Sequence, residues 1–123
     1  MNKPRVSPSR ELFGILGSYP HASALQKEWN AFFTKQGMDA FCDRYPTKED
    51  HLPERLSEMF HFDRRAYIIG PKLQHPILPL LDVLDASAKQ KVNMVLNRGG
   101  VLTGFLLEDV KPECVDTILK MNN

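Results

Sequence analysis

Val92-Asn93-Met94-Val95-Leu96-Asn97-Arg98-Gly99-Gly100-Val101-Leu102-Thr103-Gly104-Phe105-Leu106-Leu107 holds two apolar runs joined by a short Asn/Gly turn. Apolar residues flanking a turn of this kind form a β-hairpin, because Asn and Gly tolerate the positive φ that a tight turn demands. Upstream of this hairpin, apolar strands alternate with helical patterns. Residues 11–17 (Glu-Leu-Phe-Gly-Ile-Leu-Gly) are a buried-strand run closed by the turn-like Ser18-Tyr19-Pro20. Leu25, Trp29, Phe32 and Phe33 then share one helical face. Ser23 is the expected N-cap of that helix and Gly37 its C-cap.

Residues 38–45 read as a second strand, and 51–62 as a second helix with Leu52, Leu56, Met59 and Phe60 on one face and Pro53 in its first turn. Ala66-Tyr67-Ile68-Ile69 is a third strand, ended by Gly70-Pro71. Ile77, Leu78, Leu80, Leu81 and Leu84 predict a third helix reaching about Lys89, entered late because Pro76 and Pro79 fall in its opening turns. Residues 112–121 predict a last short helix with Pro112 at N1. The order β-α-β-α-β-α-β-β-α implies an α/β fold: a three-layer α/β/α arrangement with a mainly parallel sheet and a C-terminal β-hairpin. Residues 1–10 are expected to be a flexible N-terminus and 11–123 one domain.

Composition agrees. Of 123 residues, 42% are hydrophobic and 25% charged, enough apolar material for one core. Lys and Arg total 16 against 15 Asp and Glu, and no basic stripe runs along the chain, so nucleic-acid binding has no electrostatic footprint. No apolar run has the length of a transmembrane helix, and the N-terminal stretch lacks the apolar segment of a signal peptide; a cytoplasmic location is expected. Cys42 and Cys114 read as reduced thiols, with a pairing between them left open by the spacing. His21, His51, His61 and His75 have no metal-ligand spacing.

Phe13-Gly14-Ile15-Leu16-Gly17-Ser18-Tyr19-Pro20-His21-Ala22-Ser23-Ala24-Leu25, Trp29-Asn30-Ala31-Phe32-Phe33, Leu78-Pro79-Leu80-Leu81-Asp82-Val83-Leu84-Asp85 and the hairpin resemble, in that order, segments of the shikimate and quinate dehydrogenases. The resemblance covers residues 11–109 and is to the substrate-binding domain of that family. It implies a site at the strand ends for a cyclic polyol carboxylate, and a separate Rossmann-type domain that brings NADP or NAD. No GxGxxG lies in this sequence, so the resemblance implies no cofactor in this chain and no hydride transfer by it alone.

Residue by residue, the resemblance places Ser23 on the first of two carboxylate-holding serines and Leu25 on the second. Counting back from Asp82 puts Gln74 on the family's catalytic lysine and Gly70 on its threonine; matching the proline at Pro71 leaves Lys72 one residue early as the lysine. Gln74 transfers no proton at neutral pH. Asn93 matches a substrate-binding asparagine. Glu108 stands on the aspartate that pairs with the lysine, preceded by Leu106 and Leu107 in place of polar residues; Asp109 is an alternative after a one-residue slip. The implied catalytic pair is thus Lys72 and Glu108, and the implied substrate contacts are Ser23, Asn93 and Gln74. Lys72 and His75 also form a candidate anion site at the pocket edge.

Losing several hydrogen-bonding partners weakens a site built for hydroxyl groups. Two functions follow as expectations. One is binding of a small acid or polyol, with a nucleotide-binding partner chain supplying any redox chemistry. The other is a non-catalytic pseudoenzyme that serves as an interaction or dimerisation module.

Overall fold

A computed structural model describes residues 10–61 and 64–113. The strands are β1 (Glu11–Leu16), β2 (Ala40–Tyr45), β3 (Arg64–Ile69), β4 (Val83–Leu84), β5 (Met94–Arg98) and β6 (Val101–Phe105); the helices are α1 (Ala22–Lys35) and α2 (Leu52–His61). They build one six-stranded sheet in the order β2-β1-β3-β5-β6-β4. β1 pairs in parallel with β2 and β3, and β4 with β6; β5 is antiparallel to both its neighbours.

Alternation along β1 sorts the core into two halves. Phe13 and Ile15 join Trp29 and Phe33 of α1 on one face, with the Phe13 and Phe33 rings 4.8 Å apart. Leu16 faces the other way, with Leu52, Leu56 and Met59 of α2. One helix on each face of a mostly parallel sheet gives the expected three layers. Gly37, with φ +68, ends α1 as expected: Met38 N–H reaches Phe33 C=O (2.9 Å) and Gly37 N–H reaches Thr34 C=O (3.1 Å), the paired bonds of a Schellman turn.

The hairpin forms where the sequence puts it. Gly99 and Gly100 are its two loop residues, both at positive φ (61° and 96°), as a type I′ turn requires. Asn97, 8% exposed, locks the turn: its Oδ1 accepts from Gly100 N–H (2.8 Å), while its Nδ2 donates to Met59 and Arg64 carbonyls (3.1 and 3.2 Å).

Three expectations are corrected. The helix predicted from Ile77 to Lys89 is absent. Pro71–Leu73 and Leu78–Leu80 are single 3₁₀ turns, and the chain then extends into β4. Pro71, Pro76 and Pro79 each lack an N–H donor and each disfavours helical backbone at the residue before it. Asp82 completes the diversion, since its N–H donates to Leu102 C=O and its carboxylate accepts from Leu102 N–H, both at 2.9 Å. Secondly, Ser23 is not the N-cap of α1. His21 holds that position in the left-handed region (φ 56°), without a side-chain cap bond, and Ser23 lies exposed in the first turn. Thirdly, β2 begins at Ala40 rather than at residue 38, because residues 37–38 complete the Schellman turn. Of the helix predicted over 112–121, residues 114–121 lie outside the described residues, as does Cys114.

β1 and β3 converge at Gly70. Its N–H donates to Leu16 C=O at 2.8 Å, and a β-carbon there would sit 2.3 Å from the Ser18 carbonyl oxygen. The obstacle is backbone, so Gly70→Ala is expected to destabilise the fold by about 1–3 kcal/mol in urea unfolding. An unchanged midpoint would show that the two loops part without cost.

Candidate functional site

Strand register brings the candidate segments to one end of the sheet. Leu16 pairs with Tyr45 and Ile69, Ile68 with Met94, and Met94 with Phe105. The loops after β1, β2, β3 and β6 and the residue before β5 therefore emerge together. After β1 the chain turns onto the α1 face, and after β3 onto the α2 face. Such a divergence at the carboxyl ends of parallel strands leaves a crevice where α/β proteins bind ligands.

Of the clefts that open at this end, two are bordered by expected site residues, and another, between the loops after β1 and β2, is bordered by none of them. The first, about 400 Å³, is bordered by Tyr19, His21, Leu25, Asn93, Glu108 and Lys111, among others. It unites two of the five expected site residues, Asn93 and Glu108. The second, about 680 Å³, contains Gln74 together with Pro71, His75, Lys89, Lys91 and Leu106. Ser23 and Lys72 are exposed and border neither cleft. No ion pair joins Lys72 to Glu108 among the described residues.

Hydrogen bonding defines what each amide has left. Asn93 Nδ2 donates to Leu107 C=O (2.9 Å) and its Oδ1 accepts from Leu107 N–H (2.8 Å), as if it were one more backbone pair of the β5/β6 ladder. One N–H and one lone pair remain for a ligand. Gln74 Nε2 donates to Ile69 C=O at 2.9 Å, holding the turn after β3 against the strand it leaves. Gly70, at the family's threonine position, has no room for any side chain. Leu25 and Leu107, which replace polar residues of the resembling family, pack against the α1-side core.

Tyr19, in the loop after β1, is half-buried against the α1-side core and borders the first cleft. Burial, and then the nearby Asp109 carboxylate, push its phenol above the ordinary tyrosine value, so it is a hydrogen-bond donor at neutral pH. Tyr19, His21 and Lys111 were missed. The available signal was position: residues 18–21 form the loop at the carboxyl end of the first parallel strand, where α/β sites lie. No cluster of three metal-ligating side chains occurs among the described residues, and no helix among them is long and apolar enough to cross a membrane.

No protein-family model and no curated protein sequence matches this chain significantly. Solved structures do. The shikimate 5-dehydrogenase of Listeria monocytogenes, in complex with shikimate and NAD, superposes over 85% of this chain with a TM-score of 0.75 and 24% identity. The shikimate 5-dehydrogenase of Thermus thermophilus, in complex with shikimate, matches over 77% with 0.68 and 30%. The 5-ketofructose reductase of a Gluconobacter species matches over 81% with 0.75 and 20%. This chain spans 37% of the length of each. The fold is that of a shikimate dehydrogenase-like α/β domain. It corresponds to one partial segment of those enzymes, as the substrate-binding domain of that resemblance would.

Asn93→Ala is expected to destabilise the chain by about 1–3 kcal/mol, because the Leu107 N–H and C=O lose their partners. Urea unfolding without ligand measures this; no loss would show that water replaces the amide. Cys42 is fully buried in β2, and burial, with Asp43 beside it, pushes its thiol up to about 12. In a Cys114→Ser background, Cys42 is expected to resist a thiol reagent at about pH 8, near the usual cysteine range, until the protein unfolds. Rapid labelling of the native chain would contradict that assignment.

Proposed function

We propose that this chain is a binding domain for a small hydroxylated ligand, seated in the cleft between the start of α1 and the loop after β6. The observation that carries the reading is the placement of Asn93 and Glu108 in one cleft beside the Tyr19 phenol. A free amide edge, a carboxylate acceptor and a phenol donor suit neighbouring hydroxyl groups. Lys111 and His21 border the same cleft and are the basic groups that could meet a carboxylate on that ligand, beside the acidic Glu28, Glu108 and Asp109. The complexes of the similar Listeria and Thermus enzymes with shikimate make a cyclic polyol acid the first class to test.

Hydride transfer from NADP or NAD would need a nucleotide-binding domain or partner chain, with Glu108 and Lys72 as the groups for proton transfer. Lys72 stands outside the cleft, so the binding role comes before the catalytic one. A cytoplasmic location goes with this reading.

Thermal-shift titration with shikimate, quinate and dehydroshikimate at millimolar concentration is the test. A saturable rise in melting temperature is expected for at least one of them. Glu108→Ala is expected to weaken that binding about tenfold or more, by removing a charged acceptor, whereas Lys72→Ala leaves it nearly unchanged. Absence of any shift, or equal shifts with and without Glu108, overturns the reading.

One observation favours the second reading, a pseudoenzyme that associates with itself. Val83, Leu84 and Val101 are 47%, 44% and 44% exposed and border a groove of about 890 Å³ at the β4 edge of the sheet. Exposed apolar groups on an edge strand favour pairing with another chain. Light scattering on the wild type and on Leu84→Lys distinguishes the cases: a dimer lost on substitution supports self-association, and a monomer in both rejects it.

A further inference from the structure

The second cleft at the strand ends differs in character from the first. It is formed where residues 89–91 cross the turn that follows β3, and Lys89, Lys91 and His75 all border it. No carboxylate borders it among the described residues. In a chain with 16 basic and 15 acidic side chains, a concave surface of one sign is a local concentration of charge.

This arrangement is fixed by the backbone. The His75 ring nitrogen Nδ1 lies 3.0 Å from the Gln90 carbonyl oxygen. A carbonyl only accepts, so Nδ1 carries the hydrogen, and Nε2 is the remaining polar atom of the ring. Val92 N–H donates to the Gln74 carbonyl at 3.0 Å, immediately beyond Lys91. Gln74 is itself tied to Ile69 by its side chain. The Lys-Gln-Lys segment is therefore anchored at its middle and at its end to the opposite wall, and Pro71 and Leu106 supply apolar lining. The flanking lysines keep flexible stems, but their points of attachment do not move apart.

We propose that this cleft binds the phosphate or pyrophosphate group of a small molecule, with Lys89 and Lys91 on one wall and the His75 ring on the other. Two ammonium groups can meet several oxygens of one multiply charged anion, lysine serves well as a point charge for phosphate, and the Nε2 lone pair of the His75 ring can accept from a protonated phosphate oxygen. Lys72, exposed on the adjoining Pro71–Leu73 turn, adds to the field without bordering the cleft. A long polyanion is disfavoured, since the basic residues are confined to one hollow and no stripe continues from it. The inference stands independently of the ligand proposed at Asn93 and Glu108, because Lys89 and Lys91 touch no part of that cleft.

Calorimetric titration of the full chain with inorganic pyrophosphate tests it, with AMP and glycerol phosphate as further arms. Saturable binding is expected for pyrophosphate. It should weaken at least tenfold in the Lys89→Ala/Lys91→Ala double variant and stay unchanged in a Lys27→Ala/Lys35→Ala control on α1. Tighter binding of AMP than of glycerol phosphate would assign the group to a nucleotide, and the reverse to a polyol phosphate. Amide chemical-shift changes on the wild-type chain provide a second readout and should centre on residues 89–91 and His75. No saturable binding, equal weakening in both double variants, or shift changes elsewhere on the molecule overturns the proposal.

Discussion

The ends of β1 and β3 touch through bare backbone, and the layout of the site depends on that contact. Gly70 N–H bonds to Leu16 C=O, and the Gly70 α-carbon lies so near Ser18 C=O that any side chain would collide with it. Leu73, the last residue of the following 3₁₀ turn, packs its side chain against Gly17, which takes φ +84°. Loops that would otherwise be free to separate are held together at the strand ends. One cleft therefore lies on the α1 side of this seam and the other beside the turn that continues from it.

Asparagine does the corresponding work at the margins. Asn30 of α1 donates to Cys42 C=O (3.0 Å) and accepts from Cys42 N–H (2.7 Å), pairing with the edge strand β2 as a neighbouring strand would. Asn93 makes the same reciprocal pair with Leu107, and Asn97 fastens the hairpin turn to the end of α2. Each amide satisfies main-chain groups that the sheet leaves without partners, which is where a carboxamide, with a donor and an acceptor side by side, is worth most. A residue that resembles a substrate contact in sequence can thus have its first duty in the scaffold. Asn93 retains capacity for a ligand only because an amide offers four hydrogen-bonding positions and the scaffold takes two.

Much of the fold was legible because its signals are local. The short apolar runs at residues 11–17 and 66–69, the 3.6-residue stripe of Leu25, Trp29 and Phe33, and the Gly99-Gly100 turn each report the geometry of a few neighbouring residues. Residues 71–89 misled for a physical reason. Their leucines repeat at helical spacing, but three prolines remove donors, and the alternative partner, Leu102, is distant in sequence. The site was half legible. Asn93 and Glu108, singled out from the sequence, border one cleft, whereas Lys89, Lys91 and Tyr19 are brought to their clefts only by the crossing of loops far apart in the chain. Side-chain type says what a residue can do; the strand register decides where it does it.

The replacement of polar site residues by leucine also has a structural account. Leu25 and Leu107 lean on the cluster that holds Phe13, Trp29 and Val110, and the Trp29 indole N–H donates to Val110 C=O at 2.9 Å. This pins the chain leaving β6 across α1, over the same cleft that Asn93 and Glu108 border. Apolar groups at these two positions strengthen the attachment of the exit loop to the α1-side core. A ligand in the proposed cleft would meet hydrogen-bonding groups at Asn93, Glu108 and Tyr19 and an apolar surface at Leu25.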